Sequence, residues 1–339
     1  MSPRKLVLLC AALVLIGMPA LAARRRVTTQ PGNPCISGVI ADLYFSQDIV
    51  ADDAYVYFAD DGGGIFRAPK GGGSVTQLVN IADGSSVQRM VLDGDTLFFG
   101  NVDSNFVFSS IFSVPKSGGT PTLRASNILT IYDLVVDDSS IYWIAVGTFD
   151  LTDQTYLADG RIEKASKSGA NRTSLATNLS EPTGLALDAT TVYFTETGSG
   201  LGSTAAGIRS VPKNGGTVTK LTNATTTIAL LVSGNDLYFS TFNLSSKNGS
   251  VQKMPKTGGA TTTIEAATAG LLTLALRLSP DRLYAHGVSA TSEGIRSFPL
   301  AGGAATPVLV SVLDTPYFAV DSCSVYFVTA NDTIERVPR

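Results

Sequence analysis

The side chains of this chain that could bind a metal or exchange protons are carboxylates at a fixed distance from a recurring aromatic residue. Nine residues before that aromatic, the first three copies have Asp48, Arg89 and Asp133. Glu181 lies three residues before the equivalent position of the fourth copy. Converging carboxylates can hold Ca²⁺, which takes oxygen ligands, or act as acids and bases on a substrate. Solvated Asp and Arg side chains at the rim of a channel would fit the same pattern without any chemistry.

Residues 147–160 are an insertion in the third copy, and they combine aromatic with acidic side chains. The aromatic residues are Phe149 and Tyr156, and the acids include Asp150 and Asp153. Loops on a rigid scaffold often carry binding residues. Aromatic rings beside carboxylates suit a protein, peptide or carbohydrate ligand, whereas an insertion without a function would fold its aromatic rings back onto the scaffold.

Motifs of known catalytic sites are absent from the sequence. The single histidine, His286, has no nucleophile motif near it, and we interpret it as a packing residue. The cysteines lack the spacing of a metal site. No helix start follows the glycine pairs, although a phosphate-binding loop needs one. The sequence therefore predicts no catalytic residue and no cofactor, with Ca²⁺ as the one metal that the carboxylates could hold.

An aliphatic–aromatic pair recurs along the whole chain. Consecutive pairs lie 41 to 51 residues apart, and five residues before each aromatic stands an Asp or Ser, as in a tight turn. A period of this length, with four strands in each unit, is typical of β-propellers. The seven pairs are Val56-Tyr57, Leu97-Phe98, Ile141-Tyr142, Val192-Tyr193, Leu237-Tyr238, Leu283-Tyr284 and Val325-Tyr326.

Most copies continue into a Pro-Lys-x-Gly-Gly segment, as at residues 69–73. Proline lacks an N–H and marks the end of a strand, and the glycines supply the positive φ of a tight hairpin. The pair itself belongs to a run of three apolar residues, such as residues 192–194, which predicts burial on both faces between two blades. We therefore predict an all-β fold, a seven-bladed β-propeller of four-stranded antiparallel blades.

Ring closure is predicted to use the N-terminal part of the domain. The seventh copy has three strands, and the strand-like residues 36–45 precede the first copy, so they are expected to supply the missing outer strand. Cys35 and Cys323 would then lie in the same blade. In an oxidising compartment this predicts a disulfide bond, the alternative being two buried thiols.

Short segments of the repeat resemble a known propeller family. Residues 57–60, Tyr-Phe-Ala-Asp, followed by Ile65-Phe66-Arg67, are similar to the YWTD repeats of lipoprotein-receptor propellers, as is Ile141-Tyr142-Trp143. The Pro-Lys-x-Gly-Gly hairpins resemble those of secreted bacterial propeller-repeat proteins. The YWTD resemblance implies six blades, which is the alternative to the seven that the repeat predicts. It implies no particular ligand.

Residues 1–22 have the features of a secretory signal peptide. Arg4 and Lys5 precede an apolar stretch, and Ala20-Leu21-Ala22 fits a cleavage site. An uncleaved anchor is the alternative, because arginines at residues 24–26 follow directly. We expect a flexible basic tail at residues 23–34 and one propeller domain at 35–339. The location would be secreted, periplasmic or cell-surface, with no membrane span in the mature chain.

The expected mature chain is acidic, with 23 Lys and Arg against 28 Asp and Glu. This balance argues against nucleic-acid binding, which needs a basic face. The function that the sequence favours is an exported, noncatalytic binding or interaction propeller, monomeric and with an undetermined ligand. The alternatives are a metal-dependent, lactonase-like hydrolase that uses channel carboxylates, and a structural surface protein.

Overall fold

Seven antiparallel sheets of four strands follow one another along the chain. The computed structural model describes residues 37–42, 46–60, 64–81, 85–104, 107–150, 152, 155–198, 206–223, 226–243, 245–289, 293–310, 313–329 and 333–339. Within these residues the elements are all strands, and no helix is long and apolar enough to span a membrane. The prediction of a seven-bladed, all-β propeller is confirmed.

Each blade has strands A to D, and the A strands contact one another around a closed ring, so they line the central channel. The A strands are β2 (Ser46–Ala51), β6 (Ser86–Asp93), β10 (Ile131–Val136), β16 (Pro182–Leu187), β20 (Thr227–Ser233), β24 (Leu272–Leu278) and β28 (Leu313–Val320). The B strands are β3 (Tyr55–Asp60), β7 (Thr96–Val102), β11 (Ser140–Ala145), β17 (Thr191–Glu196), β21 (Asp236–Asn243), β25 (Arg282–Val288) and β29 (Ser324–Thr329).

The outer half of each blade consists of strands C and D. The C strands are β4 (Gly64–Pro69), β8 (Phe108–Pro115), β14 (Gly160–Ser166), β18 (Gly207–Pro212), β22 (Asn248–Pro255), β26 (Glu293–Pro299) and β30 (Thr333–Pro338). The D strands of blades 1 to 6 are β5 (Thr76–Asn80), β9 (Thr122–Leu129), β15 (Thr173–Leu179), β19 (Thr219–Thr222), β23 (Thr262–Ala269) and β27 (Thr306–Val310). Blade 3 also carries a small hairpin of β12 (Phe149–Asp150) and β13 (Thr155–Tyr156).

The B strands are buried on both faces because each lies between two neighbouring blades. In blade 1, Val56 and Phe58 pack against Tyr326 of blade 7, whereas Tyr57 packs on the other side with Phe99 of blade 2. Successive side chains of a strand point to opposite faces. Three consecutive apolar residues therefore supply both interfaces of a blade.

Blade 7 is completed by the start of the described chain. Strand β1 (Gly38–Asp42) pairs antiparallel with β30, so the outermost strand of this blade comes from the N-terminal side. Ile40 and Ala41 are fully buried in the core that blades 7 and 1 share. The predicted closing strand is thus confirmed. Cys35 lies outside the described residues, and the disulfide bond to Cys323 stays a prediction.

The Asp at the end of strand A joins its own turn to the next blade. Asp52 accepts hydrogen bonds from the N–H groups of Ala54 (3.0 Å) and Tyr55 (2.8 Å) through Oδ1. Its Oδ2 accepts from the Tyr57 hydroxyl (2.9 Å) and from Lys116 Nζ (2.6 Å) of blade 2. Asp137, Asp188 and Asp321 make the same set of contacts.

The lysine of each pair is the one in the Pro-Lys-x-Gly-Gly or related turn of the following blade. The pairs at the described junctions are Asp52–Lys116, Asp93–Lys167, Asp137–Lys213, Asp188–Lys256 and Asp321–Lys70. In the sequence the aspartate belongs to a tight turn and the lysine to a hairpin segment, and nothing there connects the two residues. The structure shows that they form one contact between blades.

The junction between blades 5 and 6 lacks both partners at once. Ser233 replaces the aspartate, and Leu300 replaces the lysine of the next blade. Between blades 6 and 7, where Ser279 stands, Arg339 Nη2 lies 2.9 Å from Asp281 Oδ1 instead. An unpaired charge at a blade junction is avoided in both places.

We expect the protein to lose stability in acid because of the aspartates at the blade junctions. Burial alone would raise the pKa of Asp52, but Lys116, the turn N–H groups and Tyr57 lower this pKa to about 2. The pKa values of Asp137, Asp188 and Asp321 are also lowered. An unfolded aspartate has a pKa of about 3.9. Their stabilisation is therefore complete above about pH 4 and is lost as the pH falls towards 2.

Thermal unfolding followed by circular dichroism between pH 7 and pH 2 would measure this loss. The wild-type midpoint should exceed that of Asp52→Asn at pH 7, and the difference should shrink as the pH falls from about 4 to about 2. The comparison isolates Asp52 from other titrating groups. A difference that stays constant down to pH 2 would contradict the assignment.

Candidate functional site

Asp48, the first of the predicted site residues, bridges two blades at the channel. Its Oδ1 accepts from the N–H of Ile49 (2.9 Å), and its Oδ2 accepts from the N–H of Met90 (2.8 Å) in blade 2. Only 3% of Asp48 is exposed. Burial raises the pKa of its carboxyl group, while the charges of Arg89 and Arg277 oppose that rise. The carboxylate caps two backbone donors that the A strands turn towards the channel.

Asp133 repeats this arrangement between blades 3 and 4. Its Oδ1 accepts from the N–H of Leu134 (3.0 Å) and its Oδ2 from the N–H of Leu185 (3.0 Å). The Nε atom of Arg89 lies 3.8 Å from Asp133 Oδ1. Burial raises the pKa of Asp133, and the positive charge of Arg89 opposes the rise. Two of the three predicted channel residues therefore join neighbouring blades, and the third pairs with one of them.

Two arginines and two tyrosines share the channel with these carboxylates. The guanidinium of Arg89 lies 4.3 Å from the ring centre of Tyr317 and 5.7 Å from that of Tyr132. Arg277 Nη1 donates to the carbonyl of Leu276 at 3.0 Å. Tyr132, Tyr317 and Arg277 had not been predicted as site residues. Tyr132 directly precedes Asp133, Tyr317 stands at the fixed offset in the seventh copy, and Arg277 lies two residues after that offset in the sixth copy.

The two candidate calcium ligands, Asp48 and Asp133, lie at different blade junctions. Within the described ranges, no three His, Cys, Asp or Glu side chains lie together in a way that could hold a metal ion. Asp48 and Asp133 already accept backbone hydrogen bonds with both oxygens. Calcium needs six to eight oxygen ligands. Binding of Ca²⁺ stays a prediction for experiment.

The insertion of blade 3 forms the β12–β13 hairpin on the face of the B–C and D–A connections, here called the upper face. The rings of Phe149 and Tyr156 meet edge to face, with centres 5.1 Å apart. Asp150 Oδ1 accepts from the N–H of Thr152 (2.7 Å), which tightens the turn. Tyr156 packs on the core between blades 3 and 4, as expected for the alternative of an insertion without a function, but its side chain stays partly exposed. Asp153 lies outside the described residues.

Glu181 acts electrostatically on Tyr156 at the boundary of blades 3 and 4. Burial raises the pKa of Glu181, and burial together with the charge of Glu181 raises the pKa of Tyr156 to about 12. The Thr197 hydroxyl donates to Glu181 Oε2 at 2.6 Å. We call Phe149, Tyr156, Glu181 and Thr197 the hairpin site. Thr197 was not predicted, because nothing in the repeat spacing sets it apart.

The backbone of Glu181 has a left-handed conformation, with φ of +53°. Non-glycine residues seldom adopt it, and such strain clusters at functional sites. The same conformation places the Glu181 side chain beside Thr197, whose N–H donates to the Glu181 carbonyl at 3.2 Å. A strained acidic residue beside an aromatic hairpin is the feature of the upper face that most resembles a binding site.

Exposed apolar side chains lie on the same face. Val107 and Phe108, where strand C of blade 2 begins, are each 47% exposed, and Leu157 follows the hairpin with 45% exposed. The upper face of blades 2 to 4 thus combines apolar, aromatic and acidic groups.

The single histidine, His286, lies within blade 6, where it is buried and its Nε2 lies 3.2 Å from Glu293 Oε1.

Comparison with known proteins identifies the architecture. No protein-family model matches the sequence, and no curated protein is similar to it in sequence. An oligogalacturonate lyase in complex with manganese has a similar structure, with a TM-score of 0.67, 12% identity, and coverage of 92% of this chain and 96% of that chain. The computationally designed Ika8 protein gives a TM-score of 0.56 at 13% identity, with 90% and 99% covered.

The nidogen propeller, seen in a nidogen–laminin complex, is a further structural neighbour. It has a TM-score of 0.46 and 22% identity, and the match covers 62% of this chain and 75% of that chain. A score this low carries no argument about function. Structural likeness at 12 to 22% identity shows the fold alone, and that fold is a seven-bladed β-propeller.

Proposed function

We propose that this chain is an exported, noncatalytic binding propeller whose ligand docks on the upper face at the hairpin site. The observation that carries the proposal is the aromatic pair of Phe149 and Tyr156, with ring centres 5.1 Å apart, within electrostatic reach of Glu181. The Glu181 carboxylate accepts from Thr197, and the backbone is strained at Glu181. Aromatic rings supply a large apolar contact, and a carboxylate with a hydroxyl supplies directional polar contacts.

Three further apolar side chains are exposed on the upper face. Val107, Phe108 and Leu157 are all close to half exposed, although large apolar side chains usually lie inside. Exposed large apolar side chains together with polar groups on one face are typical of an interaction site. The chemistry fits a protein, peptide or carbohydrate ligand. Export rests on the signal-like residues 1–22, and the location would be secreted, periplasmic or cell-surface.

Ligand screening followed by substitution would test the proposal. Residues 23–339 would be applied to glycan and peptide arrays, and the dissociation constants of hits would be measured by calorimetry with calcium and with a chelator. We expect Tyr156→Ala to weaken binding about tenfold or more, a loss of about 1.4 kcal/mol. Glu181→Gln should weaken it while leaving the fold intact.

Leu123→Ala is the matched control, because Leu123 is an exposed apolar residue on the outer strand of blade 2. It should leave the affinity unchanged. A ligand that binds equally well to wild type, Tyr156→Ala and Glu181→Gln would place binding elsewhere and refute the assigned site. A requirement for calcium would favour the metal-dependent alternative.

A further inference from the structure

Asp48 and Asp133 show twice how this channel holds a carboxylate. Each accepts the N–H of the residue that follows it and the N–H of the equivalent residue in the next blade. The four donors lie on the inner edges of blades 1 to 4. One carboxylate thus serves the edge donors of two consecutive blades, first between blades 1 and 2 and then between blades 3 and 4.

Blade 5 has the same backbone but no carboxylate at this position. Ala229 occupies the place of Asp48 and Asp133, and Leu230 pairs with Phe239 as Ile49 pairs with Phe58. Alternate pairs of an antiparallel ladder exchange both hydrogen bonds, and the intervening pairs exchange none. Because the pairing register is the same, the N–H of Leu230 points to the channel as that of Ile49 does.

The N–H of Leu276 in blade 6 points the same way. The N–H of Ser279 donates to the carbonyl of Arg282 (2.9 Å), so these residues form a bonded pair. Hydrogen-bonded pairs alternate with unbonded pairs along the ladder, so Arg277 and Tyr284 form the next bonded pair. The pair after it, Leu276 and Ala285, exchanges no hydrogen bonds. Leu276 therefore turns its N–H away from strand B and towards the channel.

Among the described residues, the N–H groups of Leu230 and Leu276 have no aspartate acceptor, unlike the equivalent N–H groups of blades 1 to 4. Ser240 Oγ accepts from the N–H of Ala229 (3.1 Å), the residue before Leu230, and donates to the Thr273 carbonyl (3.0 Å). Leu230 is 5% exposed and Leu276 is 1% exposed. A buried backbone N–H without an acceptor is rare and unfavourable.

Arg277 adds a positive charge beside these donors. Its guanidinium bonds to the carbonyl of Leu276 and lies 5.6 Å from the ring centre of Phe318. Within the described part of the chain, none of the ion pairs closer than 4 Å involves Arg277, whose charge acts on Asp48 and Asp133 from a greater distance, whereas Arg89 lies 3.8 Å from Asp133. The side chains of Ala229 and Ala275 leave this side of the channel without a carboxylate of its own.

We propose that the channel binds a small organic carboxylate between the inner edges of blades 5 and 6. The ligand carboxylate accepts hydrogen bonds from the N–H groups of Leu230 and Leu276 and faces the guanidinium of Arg277. It reproduces the position that the carboxylate of Asp48 has between blades 1 and 2. This site lies in the channel, and it does not depend on the ligand proposed for the hairpin site.

Calorimetry with sodium acetate and sodium succinate, in a buffer free of other carboxylates, tests the proposal. Ala229→Asp places a carboxylate of the chain itself in the site, so we expect it to abolish binding and to raise the unfolding temperature. Arg277→Met should weaken binding at least tenfold. Arg161→Ala removes an exposed cation of blade 3 and should change nothing.

Amide chemical shifts give a second readout that needs no substitution. The ¹⁵N–H resonances of Leu230 and Leu276 should move on addition of either salt, whereas those of Ile49 and Leu134, whose donors are already occupied, should move least. Absence of heat and of shifts at about 10 mM ligand, above a millimolar dissociation constant, would overturn the proposal. So would binding that both Ala229→Asp and Arg277→Met leave unchanged.

Discussion

Replacing Asp321 by alanine is expected to lower the free energy of unfolding by about 3 to 5 kcal/mol, the usual cost of removing one partner of a buried ion pair. Lys70, its partner from blade 1, has only 5% of its side chain exposed, so its charge would be left buried and unpaired. The same change removes the acceptor of the Tyr326 hydroxyl and of the turn N–H groups of Cys323 and Ser324.

Guanidinium-induced unfolding would measure this loss, with Asp188→Ala as the matched comparison. Asp188 makes equivalent contacts, but its partner Lys256 has 29% of its side chain exposed. Water can solvate that lysine once the aspartate is gone, so we expect a smaller loss, of about 1 to 2 kcal/mol. Equal losses for the two variants would show that burial of the lysine does not determine the effect.

Removal of strand β1 is the second change for which we expect a large effect. A chain that begins at residue 43 lacks Ile40 and Ala41, which are fully buried against residues that include Val328 and Ile334. Loss of a single buried isoleucine side chain usually costs about 2 to 5 kcal/mol. The truncation also leaves β30 as an unpaired sheet edge, which promotes aggregation.

We therefore expect the truncated chain to lose cooperative thermal unfolding and to aggregate. A chain that begins at residue 35 retains β1 and should unfold like the longer chain. Both should be studied in reducing buffer, so that the predicted Cys35–Cys323 disulfide bond does not contribute. Addition of a peptide of residues 35–45 should restore cooperative unfolding of the truncated chain. Normal unfolding without the peptide would show that closure by β1 is dispensable.

The sequence was sufficient to predict the blades because each repeat carries its own turns and apolar pairs. The apolar runs that contain Tyr57 and its equivalents indicate that strand B is buried on both faces. The proline and glycines of residues 69–73 indicate a hairpin, and both signals lie within one copy. The count of seven and the closing strand followed from the same copies. These signals are local, so they can be recognised without knowing which blades are neighbours.

Contacts between copies were harder to predict. Asp52 and Lys116 are 64 residues apart and belong to different blades, so no spacing within the repeat connects them. Asp48 and Asp133 were site candidates from their sequence offset, yet their bonds to Met90 and Leu185 depend on the direction of backbone N–H groups at a bulge. Residue types alone do not reveal that direction.

The hairpin site shows the same limit. Tyr156 and Glu181 were each candidates, one from an insertion and one from a sequence offset, with nothing to indicate that they interact. Their electrostatic interaction depends on how the hairpin of blade 3 folds over the start of blade 4. Thr197 could be recognised only after that geometry was known.

The pairing of an aspartate with the lysine of the next blade also bears on how such a ring can grow in evolution. Each complete repeat carries an aspartate that serves the following repeat and a lysine that serves the preceding one, as Asp188 and Lys213 do in blade 4. Duplication of a whole repeat therefore adds one partner of each kind. A point mutation in one repeat instead leaves a charge without its partner in the neighbouring repeat. The joint absence of both partners at Ser233 and Leu300 leaves no unpaired charge at that junction.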